Sequence, residues 1–173
     1  EYVLFVRINN DFSSTMTKFN TNPLARDTCA RPEVLSTINS MDEGLEKIQK
    51  SLDQYLETKR MVFPRFYFVS AVALLDMLAN GTNPPKIVPY MGDCYDSLTD
   101  VTFVVDENGN KSKRCVNEMI AKDGELIPMV EDFTMEGEVE VYLNKLTDIM
   151  QRTLKHVMEV GMETSGSVEW GLS

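Results

Sequence analysis

Apolar residues recur at helical spacing in three long stretches of the chain. In the first, Ile8, Phe12, Met16 and Phe19 follow one another at steps of four, four and three, which predicts a helix over 1–20. Asn20-Thr21-Asn22-Pro23 then reads as a turn, because Asn and Pro favour turns and Pro23 disfavours helix in the residue before it. The second stretch gives the strongest pattern. Pro32 suits a first helical position, and Leu35, Ile38, Met41, Leu45, Ile48, Leu52, Tyr55 and Leu56 repeat at steps of three and four. Glu43/Lys47 and Glu46/Lys50 lie on its other faces as i,i+4 pairs and mark a solvated side. Pro64 has no amide to donate and pushes its predecessor out of the helical region, so this helix should stop near 60–63.

Beyond it, Phe66-Tyr67-Phe68-Val69 reads as a short, strand-like run. Ser70 is placed to cap a helix carrying Val72, Leu74, Leu75 and Leu78, with Asn80-Gly81 as its stop. After Pro84-Pro85 a helical segment of about ten residues is expected around Val88, Met91 and Tyr95. The period then changes to two at Val101, Phe103 and Val105, followed by a turn over 106–110 that contains Asn108-Gly109. Further strands are expected over 115–120 and 125–130, joined at Lys122-Asp123-Gly124, so that the segment forms a β-hairpin or a small meander. Helical spacing returns after Gly137 through Val139, Tyr142, Leu143, Leu146, Ile149, Met150, Thr153 and Val157.

The fold class expected from this pattern is mainly α: a helical bundle or arm of long amphipathic helices with a small antiparallel β-hairpin insert. Its parts are a helical region over 1–100, the insert over 101–136, a long helix over 137–160 and a flexible tail over 161–173. The tail is rich in Gly and Ser around Ser165-Gly166-Ser167 and frays unless Trp170 docks.

A length of 173 residues with 43% hydrophobic positions suits one packed domain or two small ones. With 17 Lys and Arg against 27 Asp and Glu the net charge is −10, so no nucleic-acid or membrane partner is expected, and the only basic cluster is Lys111, Lys113 and Arg114. The three cysteines, Cys29, Cys94 and Cys115, are widely spaced and odd in number, which points to reduced thiols inside a cell, although Asn80-Gly81-Thr82 and Asn110-Lys111-Ser112 form glycosylation tripeptides. Pro64, Arg65 and Asp76 interrupt the longest apolar stretch, leaving no transmembrane span. The chain opens at Glu1 with no signal-peptide pattern and without methionine, as expected of a segment of a longer polypeptide.

Candidate chemistry is sparse. A phosphate-binding G-x-x-x-x-G-K-[ST] loop needs glycine before lysine, and none of the nine glycines has that neighbour. The single histidine, His156, fits an exposed or edge position better than a catalytic one, and with scattered cysteines no zinc set of the usual kind is formed. Asp106, Asn108 and Asn110 imitate the start of a calcium-binding EF-hand loop, yet Lys111 and Asn117 stand where its Gly and bidentate Glu belong, so a hairpin turn is the better reading. Asp93/Asp96 and Glu136/Glu138/Glu140 are read as surface carboxylates, and Phe63, Phe66, Tyr67 and Phe68 as core in preference to a binding face. No catalytic, cofactor or metal residue is assigned.

The stretch 46–70, EKIQKSLDQYLETKRMVFPRFYFVS, resembles the linker region of dynein heavy chains, where a helix ending in YLETKR leads into FPRFYFVS. The similarity extends through Leu74-Leu75-Asp76-Met77-Leu78 and through the Lys122-Asp123-Gly124-Glu125 turn. It continues into Gly137-Glu138-Val139-Glu140-Val141-Tyr142-Leu143-Asn144 and the run from Met150 through Thr153 to His156, and so covers roughly 23–156. Axonemal heavy chains, particularly of the outer arm, fit best. Ala71 and Tyr142 depart from the family's usual Asn and Trp without touching chemistry.

The resemblance implies a piece of a microtubule-based motor ATPase, located in the axoneme of a cilium or flagellum. In that family the linker is a helical arm that bends and straightens over a ring of AAA+ modules as ATP is bound and hydrolysed. The implied fragment is not itself an enzyme and holds no cofactor; ATP and Mg belong to the ring, and microtubules are met only by the parent's stalk. Implied partners are the ring of the same heavy chain, intermediate and light chains, and other heavy chains. Gly and Pro content marks Gly81, Pro84 and Gly137 as candidate hinges, and Lys111, Lys113 and Arg114 as the candidate ring-contacting tip of the hairpin. Two other readings stay open: a free-standing α-helical scaffold or adaptor domain that binds another protein, and a carboxylate-dependent enzyme with a concave pocket.

Overall fold

In the computed structural model, which describes residues 1–21 and 23–165, seven α-helices and three strands follow in the order α1 (Tyr2–Thr21), α2 (Ala25–Cys29), α3 (Pro32–Val62), α4 (Ala71–Ala79), α5 (Pro84–Ile87), α6 (Met91–Cys94), β1 (Leu98–Val105), β2 (Lys111–Ala121), β3 (Leu126–Thr134) and α7 (Val139–Ser165). The chain divides into two compact units, Glu1–Glu57 and Thr58–Ser173, with the boundary inside α3.

In the first unit the periodic stripes do form α1 and most of α3, but little of them is covered. Ile8 and Met41 are buried, whereas Phe5, Phe12, Ile38 and Leu45 stay about half exposed around a groove of 440 Å³. Gly44 lies against Ile8, and a Cβ at that position would come 2.6 Å from Cδ1, the end of that side chain. The short α2, unanticipated from the pattern, carries no side-chain cap.

The second unit has a two-layer core. Its sheet is antiparallel in the order β1-β2-β3, with α7 packed along β3. Phe66, Leu74, Met77, Ile87, Val116 and Leu143 are completely buried. Ser70 caps α4 as anticipated, its Oγ accepting from the Ala73 amide at 3.2 Å, a contact that contributes about 1 kcal/mol.

Several expectations need correction. The strand-like run 66–69 belongs instead to a 3-10 turn over Pro64–Phe68, closed by Phe66 N–H to Phe63 O at 3.0 Å and Val69 N–H to Phe66 O at 3.2 Å. Pro64 explains this: its fixed φ suits a first helical position where no amide donor is required. The aromatic run is correspondingly divided. Phe63 and Phe66 are buried edge-to-face with ring centres 4.9 Å apart, while Tyr67 and Phe68 are exposed.

Of the two forms expected for the insert, the structure has the three-stranded meander and not the simple hairpin. β2 begins at Lys111, ahead of the expected 115, and a bulge hides that start from the period-two pattern. Phe103 pairs with Val116 and Val105 with Lys111, so two steps on β1 face five on β2. The helical segment after Pro84 breaks into α5, a 3-10 turn over Val88–Tyr90, and α6, since Pro89 lacks the amide a continuous helix needs. At the other end, α7 runs past Gly161 to Ser165, where the tail was expected to have begun; Trp170 and the rest of that expectation lie outside the described residues.

Candidate functional site

The polar groups that hold the second unit's helices together converge where β3 hands over to α7. Gly137 makes the turn, with φ of 90°, in the left-handed region that glycine enters without steric cost. Glu138 follows, and its carbonyl accepts from the amides of Val141 and Tyr142, starting the helix.

Lys59, in the last turn of α3, reaches this helix start. Its ammonium donates to Glu138 Oε2 at 2.8 Å and to Glu140 Oε1 at 2.5 Å. Glu138 is largely solvated, whereas the Glu140 side chain is only 3% exposed and that of Lys59 18%. Both carboxylates also sit at the positive end of the α7 dipole. The Lys59 hydrogen bond holds the Glu138 carboxyl below the usual carboxylate range. Glu140 Oε2 is buried without a hydrogen-bond partner, so this carboxylate depends on Lys59 for its compensation.

Two further bonds complete the joint. Asn144 Nδ2 donates to the Val62 carbonyl at 2.8 Å, satisfying an acceptor that the end of α3 would otherwise leave open. Tyr142 Oη donates to the Gly81 carbonyl at 3.1 Å, and burial raises the phenol's pKa above its usual value. Deeper along α7, Tyr95 Oη donates to the Leu143 carbonyl at 3.1 Å and shares a 2.9 Å bond with Thr147 Oγ1; burial pushes this phenol up to about 12.

The structure distributes the candidate hinges around this joint. Gly81 follows α4 and is hemmed in, because an added Cβ would lie 3.3 Å from Val139 Cβ. Pro84 is the buried first residue of α5, and Gly137 has open space around it. Of the basic residues, Lys111 lies 5.6 Å above the Phe103 ring. Lys113 and Arg114 line a cavity of 400 Å³ together with Thr82, Asn83, Pro84 and Pro85. One candidate hinge and two of the candidate tip residues therefore share a single cavity.

The carboxylates read as surface are divided: Glu138 is exposed, but Glu140 is buried in the joint. Lys59 and Glu140 are 81 residues apart, and no local spacing relates them. His156 and Cys29 are exposed; Cys94 is buried, which pushes its thiol up to about 12. Among the described residues no group of three His, Cys, Asp or Glu side chains is placed to hold a metal, and no described helix is long and apolar enough to cross a membrane.

Comparison with known proteins supplies the family. The model described as "Dynein heavy chain, N-terminal region 2" matches residues 1–161. The chain is 36% identical over 151 residues to the dynein beta chain of the flagellar outer arm of Chlamydomonas reinhardtii, covering 87% of this chain and 3% of that protein. It is 36% identical over 158 residues to dynein axonemal heavy chain 2 of Mus musculus, covering 91% and 4%. It is also 32% identical over 151 residues to the ciliary dynein beta chain of Tripneustes gratilla, covering 87% and 3%. The chain thus spans 3% to 4% of the length of these curated relatives, whose flagellar, axonemal and ciliary character places it in the cytoskeleton of a cilium or flagellum. Matched by the family model over nearly all of its residues, the chain belongs to the dynein heavy chains of axonemal type, within their N-terminal region.

Proposed function

We propose that this segment is part of the linker of an outer-arm dynein heavy chain, a mechanical arm that bends and straightens over the AAA+ ring and moves the motor along microtubules. In this reading the segment transmits force and catalyses nothing. ATP and Mg act in the ring of the parent chain, and the parent's stalk holds the microtubule. Intermediate and light chains, and other heavy chains, complete the complex.

The observation that supports the reading is the joint at the start of α7. A force-transmitting arm needs stiff members joined without slack. α3 and α7, with 31 and 27 residues, are about 46 and 40 Å long at 1.5 Å per residue. The contacts of Lys59 with Glu138 and Glu140, of Asn144 with Val62 and of Tyr142 with Gly81 bind the beginning of one to the end of the other and to the turn after α4. Bending is assigned to Gly137, which has open space around it, and to the 81–84 turn. Lys111, Lys113 and Arg114 serve as the contact of the meander with the ring.

The test is an intact heavy chain carrying one fluorophore on the exposed face of α7 and another on the ring. A nucleotide-dependent change in energy transfer is expected. Lys59→Met should uncouple this change from ATP turnover, lowering microtubule gliding speed more than ATPase rate. An energy transfer that is the same with and without ATP would overturn the reading.

A further inference from the structure

The cavity beside the sheet has a composition unlike the rest of this acidic chain. Its cationic wall arises from the bulge in β2. On a regular strand Lys113 and Arg114 would point to opposite faces, as successive residues do. Here the Ser112 hydroxyl accepts from the amides of Arg114 at 3.2 Å and Cys115 at 2.9 Å, curling the strand back so that both cations line one space. The Arg114 carbonyl in turn accepts from the Met135 amide at 2.9 Å, so the cations project from a fixed backbone.

The opposite wall is the turn after α4, where Asn83 N–H donates to the Asn80 carbonyl at 2.8 Å and Lys86 N–H to the Asn83 carbonyl at 2.9 Å. Both cations are exposed, and among the described residues neither has an anionic partner within ion-pair distance. A space of 400 Å³ is large enough for a few side chains rather than a single small ion. Adjacent positive charges, the exposed Pro85 ring and the Thr82 hydroxyl together suit a protein segment bearing two neighbouring carboxylates, with an apolar residue resting on Pro85.

We infer that this cavity binds an acidic segment lying elsewhere in the same heavy chain. The chain is 3% to 4% of the length of its relatives, so most sequence able to reach the cavity is covalently connected to it and is presented at high effective concentration. The inference deepens the proposed contact of the meander and rests on it. Docking there would brace the 81–84 turn against the sheet, because the same occupant touches both walls.

Carbodiimide cross-linking of the intact heavy chain tests this. The reagent activates a carboxylate, and attack by the Lys113 amine forms an amide with release of the urea, so a product requires an acidic side chain within contact distance. Mass spectrometry is expected to find Lys113 joined to an Asp or Glu of the same polypeptide outside 1–173. Arg114→Glu should lower that yield about fivefold or more, whereas Arg114→Lys, which keeps the positive charge, should largely preserve it. Lys113→Arg retains the charge but lacks the reactive amine, so it should remove the product. The inference is overturned if such products are no more abundant at Lys113 than at exposed Lys47, or if they join Lys113 only to another subunit. Energy transfer unresponsive to ATP with the product present would instead overturn the swinging-arm reading alone.

Discussion

The two units are built from the same kind of helical stripe yet bury it very differently. Between Glu1 and Glu57 the buried apolar residues are Ile8, Met41 and Leu56, while Phe5, Phe12, Ile38 and Leu45 keep 42% to 51% of their surface exposed. From Thr58 onward a sheet supplies a second layer, and Phe66, Leu74, Met77, Ile87, Val116, Leu143 and Leu146 are fully buried. Periodicity therefore specifies that a helix will form and which face is apolar. Whether that face becomes a core depends on a second layer to cover it.

The largest test of this contrast is truncation of one side chain in each unit. Phe66→Ala removes a fully buried ring and should cost about 3–5 kcal/mol in urea unfolding followed by circular dichroism. Ile38→Ala, at a residue 42% exposed, should stay within about 0.5 kcal/mol. Equal costs would remove the distinction.

The joint of the second unit comes next. Lys59→Met leaves Glu140 buried without its cation and should destabilise by about 3 kcal/mol, whereas combining it with Glu140→Leu should recover most of the loss. The contact of Lys59 with Glu138 bears on the acid behaviour. Glu138 titrates below its ordinary value of 4.5 when folded, so its contribution is present at neutral pH and is lost as pH falls from that value through the folded one. Acid unfolding of Lys59→Met should accordingly show a shallower dependence on pH below about 5 than that of the parent.

Smaller effects refine the picture. Tyr142→Phe deprives the buried Gly81 carbonyl of its donor and should cost about 1–2 kcal/mol by thermal denaturation. Gly137→Ala must hold a Cβ at φ 90° and should cost about the same. Gly44→Ala in the first unit should be nearly neutral. A helix-propensity gain of about 1 kcal/mol is offset by displacing the end of the Ile8 side chain, which loose surroundings allow to move.

These differences also explain what was legible in the sequence. α1, α3 and α7 could be read because their apolar positions repeat locally, and Ser70 and Pro64 marked helix boundaries through their own chemistry. Phe66-Tyr67-Phe68 was misread because a short apolar run carries no period, and Pro64 decided in favour of the 3-10 turn. The bulge at 112–115 concealed the first residues of β2, and with them the arrangement that turns Lys113 and Arg114 to one side. The cluster was visible as charge, but its cavity was not, since Thr82–Pro85 lies some thirty residues away in sequence. Glu140 was taken for a surface acid because its neighbours are acidic. Its burial follows from the distant Lys59, which no local pattern announces.

The sheet's margins have a consequence of their own. The amide of Val130 on the outer strand β3 is taken by the Thr153 hydroxyl of α7 at 3.2 Å, and on the opposite margin the Val101 amide is taken by the Asp100 carboxylate at 2.7 Å. A strand with occupied donors is a poor template for another chain to add to. At these two positions the margins of the three-stranded sheet hold their amides within the chain, and neither amide is offered to an added strand.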